Sequence, residues 1–552
     1  MHQATIYYQA EGYITSTQNL MGRQAAGEGF LRAAAKSEAS RLLCHTDNPA
    51  AAQHFSEQLL HHGFEGQTGW VPIDRPNGLI DDGCLYLPGP NLIDSAWRRT
   101  PIGERAYSLC GITHTTASHL SMSSITGLLT APVRSWDALI CTSTAVRDTV
   151  RVLLESQAEY LRNRLGATRF DLPQFPVIPL GVHADDYVFS ETERAASRQS
   201  LGVNEDEVVF LFVGRLSFHA KAHPQQMFTA LERAAKGRKI RLMQCGWFPN
   251  TPIEAAFVDA ARMLCPSITM QYVEGRDPIA RRQAWAAANI FISLSDNIQE
   301  TFGLTPLEAM AAGIPVIVSD WDGYKNTVRD QVDGFRIPTL TPSATLGTDL
   351  AQRYECGIDS YDVYCGYTSQ LTALDPVQLE AACERLIGDA ALRKQMGASG
   401  QLRARQLFDW SVIYHRYQTL WGELAERRRA DPDLPKPVQP VFRPDRPDPF
   451  AAFAGYPTTR LSNDHRVTFL DHAIDLEKRR QLALNTFAHT KLIQPNEADC
   501  AAIITFLKKE GTQTVGEITN LFPVPQRPAI TRGLVWLAKM EAVRITPPVS
   551  VN

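Results

Sequence analysis

The strongest constraint on this chain is an alternation of short apolar runs with helix-length segments, present twice over. ATIYYQ, RLLCH, GCLYLPG, YSLCGITH, ALICTS and FPVIPLG recur through residues 1–190, and EVVFLFVGRL, IRLMQCGW, ITMQYVEG, NIFISLS, IPVIVSD and DGFRIPT follow from about residue 205. Runs this short and this continuously apolar read as strands buried on both faces, with crossover helices between them. The pattern predicts an α/β protein built on two doubly wound, Rossmann-like parallel sheets in tandem. Sheets of this kind bind ligands beyond the carboxyl ends of their strands, so the chemistry is expected in the loops that follow strands and line a cleft between the domains.

A chain of 552 residues exceeds one core, and 44% hydrophobic with 21% charged residues is a folding composition. Lys plus Arg total 55 against 59 Asp plus Glu, a net of -4, so no bulk charge draws nucleic acid. No apolar run approaches the ~18 residues of a membrane span. The opening MHQATIYYQAEGY has neither the basic region nor the apolar stretch of a secretory leader, which points to a cytoplasmic location. The ten cysteines form no C-x-x-C pair and have no His at metal spacing, so they read as reduced and mostly buried, and no metal or other cofactor is expected.

The reading divides the chain into a first Rossmann-like domain at 1–190, a second at 191–395 and helices at 396–430 that complete the pair. Residues 338–376 interrupt the rhythm as an insertion with tyrosines at 354, 361, 364 and 367. A Pro-rich linker at 431–460 leads to a small helical, winged-helix-like module at 461–552. The module's charges are nearly balanced, which disfavours nucleic acid and favours a protein partner or self-association. The 145–169 helix carries five arginines that could rest on anionic lipid, although Asp148, Glu155 and Glu159 favour an ordinary solvated face.

Chemistry concentrates in SLSDNIQETFGLTPLEAMAAGIPVIVSDWDG, residues 293–323. Thr305, Pro306 and Glu308 have the spacing of an N-cap, an N1 proline and an N3 acid, predicting a capping box. The loop 301–304 then presents backbone N–H groups at a helix N-terminus, a place for a phosphate, with Glu300 before it and Glu308 after it. A phosphate flanked by two hydroxyl-binding carboxylates suits a nucleoside diphosphate sugar.

This pattern resembles the signature of the retaining GT-B glycosyltransferases of family four, and the resemblance runs at lower stringency from about residue 4 to about 428. It implies a GT-B fold and transfer of a sugar from a nucleotide-sugar donor to an unknown acceptor with retention of configuration. It implies that Glu300 contacts the transferred sugar, that Phe302, Gly303 and Leu304 bind near the phosphates through the backbone, and that Glu308 holds the ribose, with helix capping as its alternative role. In VGRLSFHAK, Gly214 makes the turn and Arg215 and Lys221 are the implied diphosphate cations, while His219 and His223 read as loop polar residues. For His114 in GITHTTAS the resemblance implies contact with the donor sugar, with a structural role as the alternative. Gly22 in NLMGRQ marks a phosphate-approaching turn, where Arg23 replaces the family's second glycine. CGW at 245–247 and VEGR at 273–276 resemble the loops around a nucleobase, and WDGYKNTV at 321–328 departs from the family's double glycine and acid. A phosphorylase or sugar-phosphate synthase on the same fold, and a regulatory protein acting through the C-terminal module, are the alternatives. Peripheral membrane contact would follow if the acceptor is a glycolipid.

Overall fold

The structure, a computed structural model, describes residues 2–13, 22–431, 443–472, 475–485 and 493–548. It divides into two compact units, Met1–Phe442 and Arg443–Asn552.

The first unit contains both doubly wound sheets expected from the sequence. One is built from β1 (Thr5–Tyr7), β2 (Arg41–Thr46), β3 (Gln67–Pro72), β4 (Cys84–Leu87), β5 (Ser108–Ile112) and β6 (Ala138–Ile140), in the order β3-β2-β1-β4-β5-β6. The other comprises β7 (Val208–Val213), β8 (Ile240–Gly246), β9 (Thr269–Glu274), β10 (Ile290–Ser293), β11 (Val316–Ser319) and β12 (Gly334–Ile337), ordered β12-β11-β10-β7-β8-β9. Every ladder in the two sheets is parallel. Both follow the dinucleotide-binding order, in which the direction of winding reverses between the first strand and the fourth. The pair of sheets in one unit is a GT-B architecture.

Two strand assignments differ from the sequence reading. FPVIPLG and the residue before it make only isolated bridges, Ala138 with Gln174 and Cys141 with Val177, because two prolines within five residues remove ladder donors. The missing strand is β3, QTGWVP, whose polar, largely exposed residues suit a sheet edge and give no apolar run.

The helices used below are α1 (Gly22–Ala35), α2 (Thr144–Leu165), α3 (Leu304–Ala311), α4 (Thr348–Glu355), α5 (Tyr361–Gln370) and α6 (Trp410–Ala430). Helix α6 follows the second sheet in sequence but packs on the first domain. Its Trp410, Tyr414, Tyr417 and Trp421 are buried around Phe30 of α1 and Tyr86 of β4. Phe30 stacks on Tyr86 at 4.4 Å, and Tyr417 meets Tyr86 edge-on at 5.7 Å. Each buried aromatic contributes roughly 1.5–3 kcal/mol by area, and well-oriented ring pairs add about 0.5–1.5 kcal/mol. Helices α4 and α5 belong to the insertion and are framed by an antiparallel pair, β13 (Thr339–Leu340) with β14 (Ala373–Leu374).

The second unit has its own core of Val467, Ile503, Leu507, Val515, Ile518, Leu534 and Leu537. Strands β15 (Arg466–Phe469), β16 (Gln513–Thr514) and β17 (Val543–Thr546) form an antiparallel sheet in the order β16-β15-β17, with helices at Glu497–Glu510, Val515–Thr519 and Arg527–Lys539. Of the Pro-rich linker read at 431–460, residues 432–442 lie outside the described residues. No helix among the described residues is long and apolar enough to cross a membrane.

Candidate active site

In the second sheet the winding reverses between β7 and β10, so a crevice opens where those two strands end. The turn after β7 begins at Gly214, whose φ of 149° L side chains rarely adopt. At the end of β8, a Cβ on Gly246 would stand 1.9 Å from the Gly214 oxygen. The strand ends thus meet backbone to backbone, and Arg215 leaves the turn beside them. The Arg215 guanidinium donates to the Gln299 side-chain oxygen at 3.3 Å, joining the loop after β7 to the loop after β10.

The loop after β10 carries the second set of groups. Lys221 Nζ lies 3.2 Å from Glu300 Oε2, and the Glu300 side chain is 15% exposed, so the carboxylate is reachable but largely desolvated. The Asn297 amide donates to the His219 carbonyl at 2.6 Å, and Trp321 Nε1 donates to the Asn297 carbonyl at 3.1 Å. Asp322 receives the Ser143 hydroxyl at 2.9 Å on Oδ1, while its buried Oδ2 has no hydrogen-bond partner. Burial first, and the Glu300 charge second, push the Asp322 carboxyl up to about 7. Asp322 also holds a left-handed backbone, φ 40°, in the segment where the family resemblance lapses.

Phe302 is buried, and Gly303, with φ 79° and ψ 97°, is the N-cap of α3. Its side-chain-free Cα is required, because an added Cβ would lie 2.0 Å from Tyr324 Cε1. The capping box expected at Thr305 is therefore not formed. The helix begins at Leu304, Thr305 and Pro306 fall inside its first turn, and no side chain caps it. The physical reason is the positive φ of Gly303, which turns the chain into the helix before Thr305 is reached. Glu308 takes no part in a cap. Burial raises the Glu308 carboxyl above its usual value, opposed by the Tyr187 hydrogen bond and then by Arg281.

The first domain supplies the facing wall. The Thr301 hydroxyl donates to the His114 carbonyl at 3.1 Å, and the Thr142 hydroxyl donates to the Thr301 carbonyl at 3.3 Å. His114 lines a cavity of about 100 Å³ with Gln9, Glu11, Tyr13 and Arg23. Burial, and then Arg23, lower the His114 imidazole to about 4, so at pH 7 it is a neutral hydrogen-bonding group.

Arg215, Lys221, Glu300, Phe302, Gly303 and Leu304 thus converge at one crevice, with the His114 backbone joined to it through Thr301. Gly22 opens α1 with nothing within 4 Å of an added Cβ, so no close approach demands glycine there, and residues 14–21 before it lie outside the described residues. Sequence reasoning passed over Gln299, Asp322, Tyr187 and the contacts of the insertion. Of these only Asp322 left a signal, as the break in the family pattern at WDG.

Residues 193–345 match the family described as "Glycosyl transferases group 1". D-inositol 3-phosphate glycosyltransferase of Xylanimonas cellulosilytica is 30% identical over 217 residues, 38% of this chain and 49% of that protein. The protein of the same description from Kineococcus radiotolerans is 26% identical over 401 residues, 71% of this chain and 77% of that one. Across the first of the curated relatives it matches, the chain spans about half their length. Among solved structures, Anabaena Alr3699/HepE in complex with UDP aligns with a TM-score of 0.49 at 16% identity, over 77% of this chain and all of that one.

Proposed function

We propose that this chain is a glycosyltransferase that moves a sugar from a nucleoside diphosphate sugar to an acceptor with retention of configuration. The observation that carries the reading is the pairing of Glu300 with Lys221, beside Arg215, at the winding reversal of the second sheet and in front of a helix start that no side chain caps.

In this reading the diphosphate lies against the N-terminus of α3, where aligned peptide dipoles and free N–H groups favour an anion. Arg215 and Lys221 supply the positive charge that stabilises the diphosphate as the bond to the sugar breaks. Lys221 is held ready by Glu300, which receives a hydroxyl of the sugar, and Glu308 receives the ribose. His114 offers a neutral hydrogen bond to the sugar from the first domain. The departing diphosphate oxygen takes the acceptor proton on the face from which the acceptor attacks, so no separate base is assigned. The two cations come from side chains, and we expect transfer to persist in EDTA.

Thermal melting with UDP, GDP, ADP and their common sugars tests the donor class, because a ligand bound only by the folded state raises apparent stability. One nucleotide should raise the melting temperature, and its sugar conjugate should be turned over. D-inositol 3-phosphate is the first acceptor to try, since relatives carry that name. Absence of a shift with every nucleotide counts against the proposal, and activity lost in EDTA but restored by magnesium counts against the role of the two cations.

A further inference from the structure

The insertion spans the cleft. At its root the Ser369 hydroxyl donates to Asp296 Oδ1 at 2.7 Å, and the His223 amide donates to Oδ2 at 3.0 Å, so α5 is tied to the loop that carries Lys221. At its tip it touches the first domain. The Tyr361 hydroxyl lies 3.2 Å from Thr115 Oγ1, one residue beyond His114. The His119 amide donates to the Tyr354 hydroxyl at 3.2 Å, and the two rings stack with centroids 3.7 Å apart at 21°. Tyr354 stacks in turn on Tyr364 at 4.6 Å and 9°.

The hydroxyls are informative because packing does not require them. A phenyl ring would fill the same space, and the insertion already buries Tyr354, Cys365 and Leu374. The Tyr361 hydroxyl instead pairs with a side chain 246 residues away in the other domain. Because the insertion is rooted on the second domain, separation of the domains must break its contacts with Thr115 and His119.

We propose that Tyr361 is a positioning residue: through Thr115 it latches the second domain, and with it the loop that carries Lys221, to the His114 loop of the first, with the Tyr354 stack holding the latch in register. The ligand this serves, a nucleoside diphosphate, rests on the function proposed above. The latch rests on the contacts alone.

Full-length Tyr361→Phe and Thr115→Val, singly and together, separate the two parts. Hydrogen exchange without ligand should rise in both 115–121 and 348–370 in each single variant, because opening exposes both sides of one contact. Exchange that is unchanged, or that rises only within the insertion, overturns the latch. In titrations with UDP, GDP and ADP, the nucleotide that binds wild type should bind either variant roughly three- to tenfold more weakly, the cost of one hydrogen bond. The double variant should bind no more weakly than a single one, since both remove the same contact. Unaltered affinity with a lowered melting temperature, or losses that add, would reduce Tyr361 to a structural residue. If wild type binds none of the three, the positioning role falls with the proposed function, and exchange alone still decides the latch.

Discussion

Replacing Gly303 by alanine tests how the loop into α3 is built. The added Cβ would stand 2.0 Å from Tyr324 Cε1 and 2.9 Å from Cδ1, against the ~3.5–4 Å of favourable carbon contacts. Tyr324 cannot withdraw, being 2% exposed with its hydroxyl 3.1 Å from Ser293 Oγ. Nor can the loop back away, because Gly323 already lies so close to Phe302 that its own Cβ would be 2.4 Å from the Phe302 Cα. A non-glycine residue at φ 79° and ψ 97° costs about 1–3 kcal/mol of backbone strain, and overpacking costs about 1–3 kcal/mol more. We expect Gly303→Ala to lose roughly 2–6 kcal/mol and to displace the Phe302–Leu304 backbone, which the proposed function sets against a diphosphate. Urea unfolding followed by circular dichroism reads the first effect through a lower midpoint at unchanged slope, and calorimetric titration with nucleotide reads the second. Gly22→Ala is the matched control, since its Cβ meets open space, and it should stay within about 0.5 kcal/mol of wild type. A Gly303→Ala protein that unfolds like wild type and binds nucleotide equally well would refute this account of the loop.

Three further expectations follow from named contacts. Glu308 caps nothing, so Glu308→Gln should leave the urea midpoint nearly unchanged while weakening nucleotide binding by roughly ten- to a hundredfold, whereas Glu300→Gln should spare nucleoside diphosphate affinity and cut sugar transfer. Asp322 has a folded-state value of about 7, above its ordinary 3.8, so its protonated form favours folding at low pH and that contribution is lost as pH rises through about 7. Asp322→Asn should flatten this fall, and the difference between variant and wild type in urea titrations should grow from pH 4 to pH 8; a constant difference contradicts the assignment. Asp137 and Arg99 are fully buried, paired at 2.6 Å, and Asp137 also accepts from the Leu109 and Arg134 amides. Asp137→Asn leaves a buried guanidinium uncompensated and should cost about 3–5 kcal/mol, read as a lower urea midpoint.

The sequence by itself determined most of the strands and put its candidate site residues in the loops that follow them. VVFLFV is apolar throughout, and IRLMQCG and IFIS are mostly so, because both faces are covered, and that signal is contained within a single strand. Glu300, Arg215 and Lys221 were legible because each sits in a loop directly after such a strand. Tertiary structure decided the rest. Its positive-φ N-cap, fitted against Tyr324, overrode the local capping pattern at Thr305. Edge position made a strand of QTGWVP, and proline kept FPVIPLG out of the ladder. The interdomain pairs Ser143 with Asp322 and Thr115 with Tyr361 join residues 179 and 246 positions apart, and nothing in either local segment specifies its partner. Periodicity and turn chemistry act over about ten residues, whereas those contacts exist only once two sheets, their connecting helices and the insertion have packed into one unit.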